Sequence, residues 1–337
     1  MLTPPRDLPD GVLASALARE WGLAAVSLTY RPVGFGSHHW EARDTGGARW
    51  FVTVDELDGR RLSDDEPLDA AYGRVCAGLA TARVLRDHGH GYAVAPVPTR
   101  GGEPVARSGD RFCVALYPFV EGRSFSWGDY APGHRRAILG MVIALHTAPH
   151  AARRHAMADD FAIPHRDELE AALRGAPGPG ASPGEDLGPY ARPAAALLAE
   201  HAAPLRRLLG RYDDLVAAGR NDPSRMVLTH GETHSGNTML AASGGWMLID
   251  WETALVAPPE RDLWNLDPGD GSILAAYTAA TGIAPLPAML RLYRIRWDLA
   301  DIALETTRFR RPHRGGPDDD KGWRILHDQV TGVSALA

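Results

Sequence analysis

The sequence predicts an α+β chain in two lobes: a β-rich N-terminal lobe with one long helix over residues 1–116, a hinge at 117–122, and a mainly helical C-terminal lobe over 123–337. Three observations carry this reading. Short apolar runs separated by glycine turns crowd the first third of the chain. Beyond Tyr117-Pro118-Phe119-Val120-Glu121-Gly122 the apolar residues recur mostly at helical spacing. A single strand, polar loop and hairpin at 227–252 then interrupts the helical part.

Each element can be justified in order. Residues 8–21 read as an amphipathic helix, with Leu13, Leu17 and Trp21 spaced by four. A strand at 26–32 runs into Val33-Gly34-Phe35-Gly36-Ser37-His38-His39, and a second strand follows near 40–42. Strand, glycine turn, strand suits a loop whose backbone N–H groups cover nucleotide phosphates, and it suits a plain hairpin turn as well. His39 stands where a dinucleotide fingerprint needs its third glycine, and a strand rather than a helix comes next, which argues against that class. Thr45-Gly46-Gly47 turns into a third strand at 49–54; a long helix spans 68–88; a strand pair at 94–98 and 111–116 is expected around Gly101-Gly102. In the second part helices are expected at 133–146, 193–218, 260–266, 271–281, 286–309 and 321–336. The Pro/Gly/Ser-rich stretch 175–188 reads as a mobile surface loop, and Asp318-Asp319-Asp320 as an acidic cap before the last helix.

With 337 residues the chain can bury a substantial core, and 45% apolar with 23% charged residues is the balance of a soluble globular protein. Its two cysteines, Cys76 and Cys113, form no metal or redox pattern and suit a reducing compartment. No cationic leader or membrane-length apolar run is present in the sequence, so a cytoplasmic protein without a membrane partner is expected. A net charge of −6 argues against a nucleic-acid partner and is compatible with a cationic small substrate.

The chemistry concentrates in His230-Gly231-Glu232-Thr233-His234-Ser235-Gly236-Asn237 and in Asp250 at the tip of the strand 246–249. A carboxylate, an amide oxygen and a second carboxylate suit Mg2+, a hard ion that takes oxygen ligands and phosphate partners. Asn237 follows Glu232 by five residues and Asp250 follows Asn237 by thirteen. Kinases have a base-bearing loop with its asparagine at the same offset, followed by a strand-borne metal aspartate. The alternative is a polar hairpin loop whose histidines are satisfied by backbone carbonyls; two motifs in register favour the chemical reading.

On these residues the chain resembles the aminoglycoside phosphotransferases and related small-molecule kinases, which have a protein-kinase-like fold. The loop is similar to their H-G-D-x-H-x-x-N, and Ile249-Asp250-Trp251-Glu252 to their I-D-W/F-x segment. The run V-G-F-G-S-H-H-W brings it nearest the spectinomycin-phosphotransferase-like members. The resemblance implies an ATP- or GTP-dependent O-phosphotransferase using Mg2+ on a hydroxyl of a small cationic acceptor, an aminoglycoside or aminocyclitol antibiotic, and hence antibiotic resistance. Carried over residue by residue, Glu232 takes the base position, with glutamate where the family has aspartate. Asn237 and Asp250 hold the metal, with Glu252 beside them, and His230 and His234 brace the catalytic loop. Gly34, Phe35, Gly36, Ser37 and His38 cover the phosphates, and the backbone of Pro118, Phe119 and Val120 meets the adenine. Asp298, Asp301 and Glu305 share one helix face, read either as a solvated face paired with neighbours such as Arg308 or, by resemblance, as an acidic wall of the acceptor cleft.

One departure stands out. Kinases place a lysine on the third strand and pair it with a helix glutamate. Here Thr53 takes the lysine's position, the helix at 68–88 contains no glutamate, and Lys321 is the only lysine. Arg74 and Arg83 are expected to replace that cation, ahead of His38 and His39, because arginine stays charged at neutral pH; the alternative is that both arginines merely face solvent. Two other classes stay open: a kinase of another small alcohol, and a nucleotide- or ligand-binding module whose catalytic parts have decayed.

Overall fold

Period-two alternation along the third strand sets the N-terminal architecture. The computed structural model describes residues 1–180, 186–219 and 222–334. Helix α1 (Asp10–Trp21) leads into β1 (Ala25–Arg31), β2 (His38–Asp44) and β3 (Arg49–Glu56); α2 (Leu68–Asp87), β4 (Ala106–Ser108) and β5 (Phe112–Pro118) follow. These strands form an antiparallel sheet in the order β1-β2-β3-β5-β4. Val52 and Val54 join Leu13 and Leu17 of α1 in one core with Trp40, Ala42, Val114 and Leu116. On the other side Cys113, Ala115 and Tyr117 pack with Val75 and Leu79 of α2. Residues 51, 53 and 55 therefore share the face that α2 covers.

The stretch 94–98 is not a strand. Pro96 and Pro98 have no N–H to give a ladder, so only isolated bonds attach it to its neighbours, such as Val97 N–H to the Leu116 carbonyl at 2.7 Å. The short β4 takes the edge position instead.

Next come β6 (Gly122–Ser124), α3 (His134–His146), β7 (Met157–Ala158), α4 (Arg166–Leu173), α5 (Ala191–Glu200) and α6 (Ala202–Gly219). They are followed by β8 (Val227–Thr229), β9 (Thr238–Ala241), β10 (Trp246–Leu248) and β11 (Leu255–Ala257). The chain continues through α7 (Glu260–Leu263), α8 (Ser272–Thr281), α9 (Pro287–Phe309) and α10 (Pro317–Ser334). Two small sheets, β10-β9-β6 and β7-β11-β8, carry the central motif. The expected helix at 193–218 is two helices, because Pro204 cannot donate to the Glu200 carbonyl and the chain breaks at His201. α10 starts at Pro317, so Asp318, Asp319 and Asp320 lie in its first turn rather than before it. Within the expected loop at 175–188, residues 181–185 lie outside the described residues.

Two compact units emerge. The first comprises Met1–Arg60, Leu68–Asp160 and Asp222–Leu290, and contains all three sheets and the whole 227–252 motif. The second, helical unit comprises Arg61–Pro67 and the stretches beginning at Phe161 and Arg291. There Tyr190 stacks on Trp323 and His313, and Arg166 forks onto Asp213 at 2.5 and 2.7 Å. Among the described residues no helix is long and apolar enough to cross a membrane.

Candidate active site

The loop after β8 is held by a buried carboxylate behind it. Asp262, on α7, accepts the N–H groups of His230 (2.9 Å) and Gly231 (2.5 Å) and approaches His146 Nε2 at 3.1 Å. Its carbonyl accepts Thr233 Oγ1–H at 2.6 Å. His230 is fully buried: Nε2 bonds the Ile249 carbonyl at 2.8 Å and Nδ1 accepts the Glu232 N–H at 3.2 Å. Burial pushes its pKa down to about 4, so it is a neutral imidazole. His230 thus ties the two halves of the motif together and, with both ring nitrogens engaged, transfers no proton to a substrate.

Glu232, Asn237 and Asp250 are brought into one neighbourhood. Asn237 Nδ2 donates to the Glu232 carbonyl and to its Oε2, both at 3.2 Å, and the Ile249 N–H reaches the Asn237 carbonyl at 2.9 Å. The Asn237 amide oxygen is thereby left to act as an acceptor. Burial alone would raise the Glu232 carboxyl. His234, 3.8 Å from Oε2, together with His230 and Arg60 outweighs it and holds the group at about 2. Glu232 is therefore ionised at neutral pH. His234 in turn lies against the Trp127 ring, 4.1 Å between centroids.

Asp250 adopts φ +64°, a left-handed conformation uncommon outside glycine, at the start of the 3-10 turn Trp251–Thr253. Burial and then the Glu232 charge raise its pKa to about 6. Burial, then Asp250 and Asp55, raise Glu252 to about 8. Carboxylates crowded so that each resists ionising are a donor set that gains by accepting a divalent cation. Among the described residues no three His, Cys, Asp or Glu side chains form a ready metal cage. Magnesium at phosphate sites takes one or two carboxylates plus phosphate oxygens, so the Asn237 oxygen and Asp250 fit it, with Glu252 alongside.

In the glycine turn, Gly34 and Gly36 both take positive φ (69° and 96°), which lets the turn Val33–Ser37 fold tightly. Phe35 is half-buried in it. His38 is buried between Tyr30 and Glu56, and His39 stacks on Phe51 with its pKa pushed down by burial to about 4. Thr53 is buried with Oγ1 3.4 Å from His39 Nδ1. Arg83 is exposed and paired with Asp87 along the helix, and Arg74 donates to the Arg60 carbonyl at 2.7 Å. This corrects the expected ranking of cations: Arg60 acts on Glu232, Asp250 and Glu252, with His234 acting beside it on Glu232 and Asp250. In the hinge, the Arg49 guanidinium covers the Phe119 ring at 3.6 Å, and the Phe119 N–H is taken by the Arg49 carbonyl at 3.3 Å. Pro118 has no N–H, so Val120 is the donor left for a base.

The acidic stripe lies on the α9 part of the second unit. Glu305 is buried and pairs with Arg308 Nε at 2.7 Å, with Gly322 packed against its carboxylate. This corrects its assignment to an acceptor wall: Glu305 is buried, with its ion pair made within α9. Asp301 accepts Gln329 Nε2 at 3.1 Å, and Asp298 is half-buried with its pKa raised to about 6 by burial. Sequence reading missed Asp262, Asp55 and Arg60. A signal existed for Asp55: an acid two residues beyond Thr53 must share its face of the strand.

A β-rich sheet with a covering helix, a glycine turn, and a loop-and-hairpin carrying Glu232, Asn237 and Asp250 are the parts of a kinase-like phosphotransferase. The profile of the phosphotransferase enzyme family matches residues 29–304, and the chain belongs to that family. It is 33% identical over 302 residues to protein StrN of Streptomyces griseus, covering 86% of this chain and 83% of that one. Its fold is that of a spectinomycin phosphotransferase crystallised with ADP and spectinomycin (TM-score 0.71, 15% identity, 98% of each chain). A microcompartment-associated aminopropanol kinase shares it too (TM-score 0.62, 15% identity, 97% of this chain and 96% of that).

Proposed function

We propose that the protein transfers the γ-phosphate of ATP or GTP, with Mg2+, to a hydroxyl of a small amine-bearing acceptor, an aminoglycoside or aminocyclitol antibiotic being the first choice. The observation that carries this is the gathering of Glu232, Asn237 and Asp250, with the pKa of Asp250 and of Glu252 both raised by burial and by neighbouring carboxylates, so that a cation there would relieve the crowding. Asn237 and Asp250 would hold the ion, which when bound offsets charge on the phosphate oxygens. Glu232, ionised and fixed by Asn237, orients the acceptor hydroxyl and receives its proton as the P–O bond forms. The turn at Gly34–Ser37 covers the phosphates and Val120 N–H meets the base. The acceptor class is supported by the amine-bearing alcohols named for the spectinomycin and aminopropanol relatives. Reduced Cys76 and Cys113 are in keeping with work in the cytoplasm.

The test is an acceptor screen with labelled ATP and GTP, run beside antibiotic susceptibility of a host expressing the protein. Transfer to an aminocyclitol with a raised inhibitory concentration is expected. Transfer confined to metabolite alcohols would reassign the acceptor, and none at all would leave a binding module.

A further inference from the structure

An arginine stands just beyond the strand that lacks a lysine. Arg60 closes the 3-10 turn Leu57–Arg60 directly after β3. Its Nη2 donates to Asp55 Oδ1 at 2.5 Å and to Ser37 Oγ at 2.7 Å, its Nε reaches the same Asp55 oxygen at 3.1 Å, and Ser37 Oγ–H donates to Asp55 Oδ1 at 2.6 Å. Asp55 is buried and points to the face that Thr53 shares, one strand repeat of about 7 Å further along. The arginine is thus anchored along its Nε–Nη2 edge by a strand carboxylate and by the glycine turn's serine. Nη1 has no hydrogen-bond partner among the described residues. Arg60 keeps 27% of its side chain exposed while Asp55 keeps 3%.

We propose that Arg60 is the cation that binds the nucleotide's α/β-phosphates, with Asp55 as the residue that positions it. The kinase arrangement is exchanged in polarity: the strand supplies the acid and the turn supplies the base, so neither the strand lysine nor the helix glutamate is required. Two further observations agree. A triphosphate entering beside Glu232, Asp250, Glu252 and Asp55 meets four acids, and Arg60 is the cation whose charge reaches all four. The Arg60–Ser37 bond also couples that cation to the turn expected to fold over phosphates, and a fork-shaped guanidinium suits phosphate oxygens.

The inference rests on nucleotide binding as proposed above, and the experiment separates the two. Calorimetry would compare the nucleoside, monophosphate, diphosphate and triphosphate of adenine and guanine on the parent, Arg60→Lys, Arg60→Gln and the double variant Asp55→Asn/Arg60→Gln. The double variant removes both charges of the buried pair together, which keeps the fold, checked by circular dichroism. Loss of about ten- to a hundredfold is expected for di- and triphosphates in both Gln variants, with little change for the nucleoside and partial retention in Arg60→Lys. Unchanged triphosphate affinity in either folded Gln variant would overturn the proposal. So would equal losses for nucleoside and triphosphate, which mark a purely structural pair. A parent that binds no nucleotide would instead overturn the functional reading itself.

Discussion

Glu232 reaches one methylene further than the aspartate of the kinase loop motif, and its carboxylate is fixed by Asn237 Nδ2 at 3.2 Å. A site built around that reach will not accept a shorter acid without a shift of about 1 Å, a displacement worth about a hundredfold in rate. Glu232→Asp should therefore lower kcat by about that factor while nucleotide KM stays put, and Glu232→Ala should bring turnover near background. Equal kcat in all three proteins would remove this carboxylate from the chemistry. Asp262 makes a different demand. It satisfies two buried N–H groups and faces His146, so Asp262→Ala leaves those groups unpaired at a cost of about 3 kcal/mol. Urea unfolding measures this; a loss below about 1 kcal/mol would mean that the loop is held by something else.

Among the elements, α2 matters through one close approach. A Cβ on Gly78 would lie 2.6 Å from the Trp251 carbonyl oxygen and 2.7 Å from that of Glu252. Gly78→Ala should push α2 off the segment that follows Asp250, costing about 1–3 kcal/mol and slowing turnover with it. Unaltered stability and rate would show that α2 does not set that segment. In the second unit, α9 carries Asp298 with its pKa raised to about 6. The stability this shift contributes is complete below about pH 4 and is lost as pH rises through about 6. Asp298→Asn should hence gain stability relative to the parent between pH 4.5 and 7.5 in urea titrations, and a constant difference across that window would refute the burial argument. The legible part of this chain was its local pattern. Glycine turns, helical spacing and the offsets among Glu232, Asn237 and Asp250 are properties of short stretches, so the α+β class and the family could be read from them. What stayed hidden depends on partners far apart in sequence: Asp262 reaching back to His230, Glu305 turning to Arg308 and Gly322 rather than outward, and Ser37 meeting Arg60. The prolines at 96 and 98 were visible and should have ruled out a strand there.

At the scale of the molecule, the candidate chemistry is gathered in one compact unit: the five-stranded sheet, α2 and the 227–252 motif all belong to it. The chain's positive charge is almost all arginine. A chain with a net charge of −6 and a single lysine gathers Glu232, Asp250, Glu252 and Asp55 within reach of Arg60, and on the proposed reading that arginine and a metal ion would neutralise a triphosphate there. The central claim is that Asp250 makes this cluster a metal-dependent phosphotransfer site. Mg2+-dependent turnover of ATP and GTP, measured side by side for the parent and Asp250→Asn, tests it most directly. The parent should turn over only with the metal, and the variant, with an unchanged circular dichroism spectrum, should be slower by about a hundredfold or more. Near-normal turnover in Asp250→Asn would contradict the assignment.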